Sequence, residues 1–176
     1  MNRVELVAAL QRYISSFAEE QKFVSSFLEL LQHKDCFQRT HLPGHLTGSS
    51  WILNETKTKV VLVHHGKLNR WMQPGGHADG DENIFAVAMR EGNEETGIQN
   101  LIGREEIFDI DIHTIPDRKD FPRHQHFDIR FLFQANEIEP IVVSEESHDV
   151  RWIELKELKK FTNERSVVRM WEKSRK

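Results

Sequence analysis

The stretch that most constrains this chain is Gly76 to Ile98, a glycine-led loop running into a helix with its charges on one side. Phe85, Ala88, Met89 and Gly92 recur at i, i+3, i+4 and i+7. A helix from about Asp81 to Thr96 would bury that stripe, and Gly97 would stop it in the C′ position. At ~100° per residue, Glu91, Glu94 and Glu95 converge on a neighbouring face. Three carboxylates crowded on one turn repel each other and do nothing for the helix. They read either as hard-cation ligands, since Mg²⁺ and Mn²⁺ prefer oxygen donors and share their shell with phosphates, or as a solvated acidic face.

Other glycine-loop chemistries fail on composition. No Gly-Lys-Ser/Thr follows Gly75, so the loop is not a Walker-type phosphate cradle. Asp79-Gly80-Asp81 hints at a calcium loop, but its twelfth position is Arg90, where a bidentate Glu is needed. No H-E-x-x-H and no paired C-x-x-C offers a zinc site. Cys36 is the only cysteine, so no internal disulfide forms and a reducing cytoplasm is the expected compartment. No base is fixed beside Cys36, which points to an inert thiol rather than a nucleophile. The longest aliphatic run, Val60 to Val63, is far short of the ~20 residues of a membrane span. A net charge of -4, with no long Lys/Arg run, argues against a long nucleic acid as partner. With 176 residues the chain suits one domain with an appendage.

Residues 1–40 lack Gly and Pro and show a helical stripe of Val4, Val7, Leu10, Ile14 and Phe17, then Val24, Phe27, Leu28 and Leu31. Ser16 to Glu19 resembles a capping box, so two helices are expected, or one broken near Ser15–Ser16. This arm would dock its stripe as a helical layer, cover a site, or support a homodimer. Pro43-Gly44 marks the boundary with a second unit, 41–176. There the pattern changes to strands: Leu46 to Leu53 and Lys59 to His65 form a hairpin about Asn54–Lys57. Residues 106–115 alternate, with Asp109, Asp111 and His113 opposite Phe108, Ile110 and Ile112. Residues 126–134 do likewise, with His126, Asp128 and Arg130 opposite Phe127, Ile129, Phe131 and Phe133. A long loop, 114–123, lies between them. An acidic loop at 144–149, the strand 150–153 and two short helices complete the chain.

The spacing G-x5-E-x7-R-E-U-x-E-E-x-G-U, where U is aliphatic, is met by Gly76, Glu82, Arg90, Glu91, Glu94, Glu95, Gly97 and Ile98. This is the Nudix box, and the chain resembles the Nudix (MutT-like) hydrolases, a bacterial branch of them in particular. The resemblance implies an α/β/α sandwich: a mixed, curved sheet between helices, with the N-terminal arm outside the common core. It implies hydrolysis of a nucleoside diphosphate linked to another moiety, with Mg²⁺ (or Mn²⁺) on Glu91, Glu94 and Glu95. Gly76, Glu82, Arg90 and Gly97 would be structural, Arg90 pairing with Glu82 and Glu91 to hold the loop on the helix. Glu94 or Glu95 would take the proton of a metal-bound water, or Glu146 from the later acidic loop would do so. Gly92 departs from the box, which has an aliphatic residue there. A Gly inside a helix costs about 1 kcal/mol relative to Ala, so the helix either packs very closely there or is locally loose.

If the two alternating strands pair, Asp109, Asp111 and His113 of one and His124, His126 and Asp128 of the other form a His/Asp patch. It would line a pocket in which His77, His126 or Arg130 contacts substrate. A second metal site and a hydrogen-bonded structural network are the other readings of that patch. Trp51 and Phe121 would stack on a base or belong to the core. Two rivals to the hydrolase share the fold: an isopentenyl diphosphate isomerase type, and a nucleotide-binding regulator without turnover.

Overall fold

A computed structural model of the protein describes residues 1–117 and 121–175. The chain begins with α1 (Arg3–Gln11) and α2 (Ala18–Leu30). It continues through β1 (Gly44–Asn54), β2 (Lys59–His65), β3 (Arg70–Met72) and β4 (Gly75–His77) to α3 (Ile84–Thr96). Strands β5 (Ile102–Ile115), β6 (His124–Ala135) and β7 (Ser147–Glu154) follow, then a 3₁₀ helix (Leu155–Lys160) and α4 (Arg165–Lys173). Among the described residues no helix is long and apolar enough to cross a membrane.

The seven strands form one open, mixed sheet in the order β3-β2-β1-β6-β5, with β4 beside β1 and β7 beside β2. Strand β1 is its axis. One edge pairs in parallel with β6 over the full length, Gly44 with Gln125 through Asn54 with Ala135. Its other edge is shared, β4 pairing at Thr47–Ser49 and β2 at Leu53. Period-2 alternation then builds both layers. Leu46, Ile52, Phe127, Ile129 and Phe131 pack with Ile84, Val87 and Ala88 of α3. On the opposite face Trp51, Leu53, Val60 and Leu62 pack with Leu158, Val167 and Met170. Helices therefore flank the sheet on both sides, as the resemblance implied.

The arm docks as a helical layer, with Leu6, Leu10, Phe27 and Leu31 in the same core cluster as α3. Two details differ from the expectation. Helix α1 ends at Gln11, so Ile14 lies beyond it and is exposed, as is Val4, while Leu6 takes the inward position. The capping box forms at Asn2 and Glu5 rather than at Ser16 and Glu19. Helix α2 starts after Phe17 without a side-chain cap; Ser15 Oγ accepts from the Phe17 N–H at 3.0 Å and donates to Glu20.

Helix α3 also begins later than expected. Asn83 is its N-cap, accepting from the Ala86 N–H at 3.2 Å, and Gly97 ends it with φ +77°. Gly92 has a clear reason: a Cβ there would stand 2.8 Å from Leu101 Cδ1 and 3.0 Å from Ser50 Oγ. The helix is thus pressed onto β1, where Ser50 Oγ donates to the Ala88 carbonyl at 2.5 Å. The stretch expected as a long loop is shortened by strands reaching Ile115 and starting again at His124. Part of it, 118–120, lies outside the described residues.

Charged residues fill the polar side of β5 and β6 beneath α4. Arg169 donates to Asp109 Oδ2 at 2.8 Å and Oδ1 at 2.7 Å, and to the Ile110 carbonyl at 2.7 Å. Lys173 reaches Glu20 of α2 at 2.5 Å and Asp109 at 2.9 Å. Removing one partner of such a buried cluster strands the others. Arg169→Met is expected to destabilise the fold by about 3–5 kcal/mol in equilibrium urea unfolding; a loss under ~1 kcal/mol would contradict the role given to the cluster. Gly92→Ile overfills the helix–sheet contact and is expected to cost about 1–3 kcal/mol in the same measurement. An unchanged midpoint would show that the contact is slack.

Candidate functional site

Strand β4 is the hinge of the site. Its three residues pair with Thr47, Gly48 and Ser49, so the loop after it is pinned to the centre of the sheet while α3 rises alongside. A Cβ on Gly76 would overlap the Glu91 carboxylate, which explains the glycine that opens the box. Glu95 accepts from the Gly75 N–H at 2.9 Å. Arg90 pairs with Glu91 at 2.8 Å and Glu94 at 3.4 Å, and donates to the His77 carbonyl at 3.1 Å. The pairing of Arg90 with Glu82 that the resemblance implied is corrected: Glu82 belongs to Arg3 of α1, at 2.7 and 3.1 Å. Arg3 also holds the carbonyls of Leu31, His33 and Lys34, so the arm is clasped onto the box loop.

Glu91, Glu94 and Glu95 line a cavity of about 590 Å³, together with Glu146, His77, His126 and Phe121. Arg130 does not line it. Within the cavity Arg90 Nη1 bridges Glu91 and Glu94, while Glu95 is held separately at Gly75. Burial raises the pKa of Glu91 against the pull of Arg90. Burial, with repulsion from Glu91, Glu146 and Glu94, lifts Glu95 to about 7 despite the Gly75 N–H. This is a lining with more carboxylates than cationic side chains, and the chemistry of its oxygen donors fits a hard divalent cation. Cys36, by contrast, is buried outside the cavity, and burial pushes its thiol up to about 11.

The two alternating strands do pair, and β1 adds a third column to their polar face. His45 lies beside His126 and His126 beside His113; Thr47, Asp128 and Asp111 form the next row; Ser49, Arg130 and Asp109 the third. The third row is structural. Arg130 is 2% exposed and meets Asp128 at 2.7 Å, Asp109 at 3.1 Å and Asp111 at 3.4 Å. The substrate contact expected of Arg130 is therefore corrected: its guanidinium is occupied by three carboxylates. Burial alone would raise Asp111, yet Arg130 and His113 hold it far below the usual carboxylate range. Asp128 further accepts from Thr47 and Ser49 at 2.9 and 2.8 Å.

The first row is a group of imidazoles. His126 Nε2 stands 3.2 Å from Nε2 of both His77 and His124. Burial lowers the pKa of His45 and His77 to about 4 and, with neighbouring histidines adding, that of His126 to about 2. Trp51 is core, its Nε1 donating to Ser174 Oγ at 2.7 Å, whereas Phe121 meets His124 edge-on at the cavity. Sequence reasoning missed Arg39, which pairs with Asp79 and lines the cavity. It lies at the end of the stretch read as the N-terminal arm, just before the Pro43-Gly44 boundary, and no local pattern marks it.

The protonation of Glu95 is open to measurement. Its pKa is about 7 folded against 4.5 for an ordinary glutamate, so folding takes up a proton between those values. Its contribution to stability thus falls as pH rises through that window. The buried imidazoles act in the opposite sense, losing stability as pH falls below 6.5, so the difference between variant and parent isolates Glu95. In chelator, the melting temperature of Glu95→Gln relative to the parent is expected to climb between about pH 5 and about pH 7.5. A flat difference would refute the raised pKa.

Comparison with known proteins places this geometry. The NUDIX domain model matches residues 45–171. A phosphatase NudJ of Shigella boydii is 37% identical over 131 residues, 70% of this chain and 77% of the relative. A probable DHNTP pyrophosphohydrolase of Lactococcus lactis is 26% identical over 138 residues, 77% of this chain and 81% of the relative. Among solved structures, a NUDIX-family hydrolase from Clostridium perfringens superposes with TM-score 0.56 at 26% identity, covering 74% of this chain and 96% of that one. A C. elegans Ap4A hydrolase gives 0.59 at 20% identity, covering 73% and 93%, and speaks to the fold alone. With a family match running from β1 into α4, and with a phosphatase relative aligned over most of both chains, this protein belongs to the Nudix hydrolase family.

Proposed function

We propose that the protein is a divalent-cation-dependent pyrophosphohydrolase of a nucleoside diphosphate linked to a further group, with 41–176 as its catalytic unit and 1–40 as an appended arm. The observation that carries this reading is that Glu91, Glu94, Glu95 and Glu146 line one cavity, where burial, with their mutual repulsion adding, lifts Glu95 to about 7. Mg²⁺ or Mn²⁺ on the box glutamates would neutralise phosphate oxygens and lower the pKa of a bound water. Glu91, Glu94 and Glu95 are the ligands we assign, Arg90 being the charge that keeps Glu91 and Glu94 in place beforehand.

The remaining roles follow from position. Glu95, held at Gly75, and Glu146, from the loop before β7, are the two carboxylates offered to the attacking water as proton acceptor. His77 and His126 line the cavity as neutral imidazoles, suited to hydrogen-bonding a phosphate or base without adding charge. Lys67, and Arg39 reaching in from the end of the arm, line the same cavity and supply positive charge for phosphates beyond the scissile bond.

A panel tests this: nucleoside diphosphate sugars, ADP-ribose, dinucleoside tetraphosphates and dihydroneopterin triphosphate, incubated with Mg²⁺ or Mn²⁺ and followed by phosphorus NMR. Cleavage at a diphosphate bond is expected for at least one member. Binding without turnover would favour the regulator, and rearrangement of isopentenyl diphosphate the isomerase. Glu94→Gln and Glu95→Gln are each expected to lower kcat by about 10²-fold or more with the fold intact. Unchanged rates would sink the assignment of these ligands.

A further inference from the structure

A separate set of donors converges beneath the cavity. His45 on β1 and His126 on β6 are register partners, and His77 sits on β4 along the other edge of β1. One donor atom from each lies within 4.8 Å of the other two, an arrangement that among the described residues these histidines alone achieve. The box glutamates are not part of it.

Hydrogen bonding explains why the arrangement is incomplete as it stands. The Nδ1 of His45 faces the His41 carbonyl at 3.3 Å, and a carbonyl only accepts, so the ring proton belongs on Nδ1. His45 Nε2 is then a lone pair, and it is buried with no partner on a residue 0% exposed. His124 repeats the pattern, with Nδ1 2.8 Å from the Pro122 carbonyl and Nε2 3.2 Å from His126 Nε2. A proton on His126 Nε2 can serve only one neighbour and leaves His45 without a donor. Buried acceptors in folded proteins are nearly always satisfied, so this one asks for a water or a cation, and the neighbouring imidazole lone pairs favour the cation.

The His77–His126 pair stands at a metal-binding spacing, with the His45 donor within 4.8 Å of both. Nitrogens bound to zinc at about 2.0–2.1 Å stand about 3.3–3.4 Å apart along a tetrahedral edge. The His126–His77 and His126–His124 separations are both 3.2 Å. Ligating histidines ordinarily donate their second ring N–H to a carbonyl or carboxylate, which is how His45 is held. Imidazole nitrogen selects zinc-like ions and does not suit magnesium. His77 and His126 line the cavity while His45 lies behind them.

We infer that His45, His77 and His126 form a transition-metal site for an ion of the Zn²⁺ class, distinct from the box carboxylates, with its remaining coordination position open to the cavity beside His124. Three protein ligands and an open position are the pattern of a site that engages a bound molecule rather than one that only holds a fold.

The test uses the full chain stripped with chelator and kept in excess Mg²⁺ to occupy oxygen donors. It is titrated with Co²⁺, followed by visible absorption, and with Zn²⁺, followed by calorimetry. One ion per chain with a tetrahedral cobalt spectrum is expected. Glu94→Gln and Glu95→Gln should keep both signals. His126→Asn and His77→Asn should each weaken affinity at least about tenfold, with unchanged circular dichroism. If His126→Asn fails to fold, His77→Asn on the short strand β4 carries the comparison. Absence of binding in the parent, persistence in the histidine variants, or loss in Glu95→Gln would each overturn the site. None of these outcomes depends on hydrolysis, so the assay panel can fail while this site stands, and the reverse.

Discussion

Buried charge has to be neutralised where it sits, and in this protein that requirement binds three regions of the chain together. Asp109, Asp111 and Asp128 of the β5–β6 hairpin, with Glu20 of the arm, meet Arg130, Arg169 and Lys173 in a nearly dry layer. No member is stable there without the others. The helical arm, the hairpin and α4 are therefore held in one arrangement by charge as well as by apolar packing. The same layer sets where function can begin: Thr47, Ser49 and Asp128 reach the cavity wall but are already hydrogen-bonded to one another, and the histidine row lies beyond them.

The box loop depends on a second close fit. Gly76 lets the loop pass under Glu91, and Gly92 lets α3 press onto β1, so the acids are delivered to the rim of the histidine row. Arg3 then clasps the loop from the arm by taking Glu82. The arm is thus more than a cover over apolar surface, because it holds a residue of the box itself. Two sets of donors of different chemistry end side by side, hard oxygens on α3 and imidazoles on the sheet.

How much of this is legible in the chain depends on sequence distance. The box register, the helix stop at Gly97, the β1–β2 hairpin and the alternation of 106–115 and 126–134 are local patterns, and each appears in the structure as a local element. Alternation puts Arg130 on the polar face correctly. It cannot say that Arg169 and three aspartates enclose that face, because α4 arrives from 60 residues away. Likewise Arg90 reads as the partner of Glu82, and the residue that takes it is 79 positions upstream.

Spacing along the chain is enough to specify the box, its acids and their order on one helix, because that order follows from the backbone period. It is also enough to put histidines and aspartates on one face of each of two strands. Long-range packing alone lays β1 parallel to β6 and so brings His45 to His126 and His77. Parallel pairing joins segments with no turn between them, and its register is set by the packing of both sheet faces rather than by any local signal.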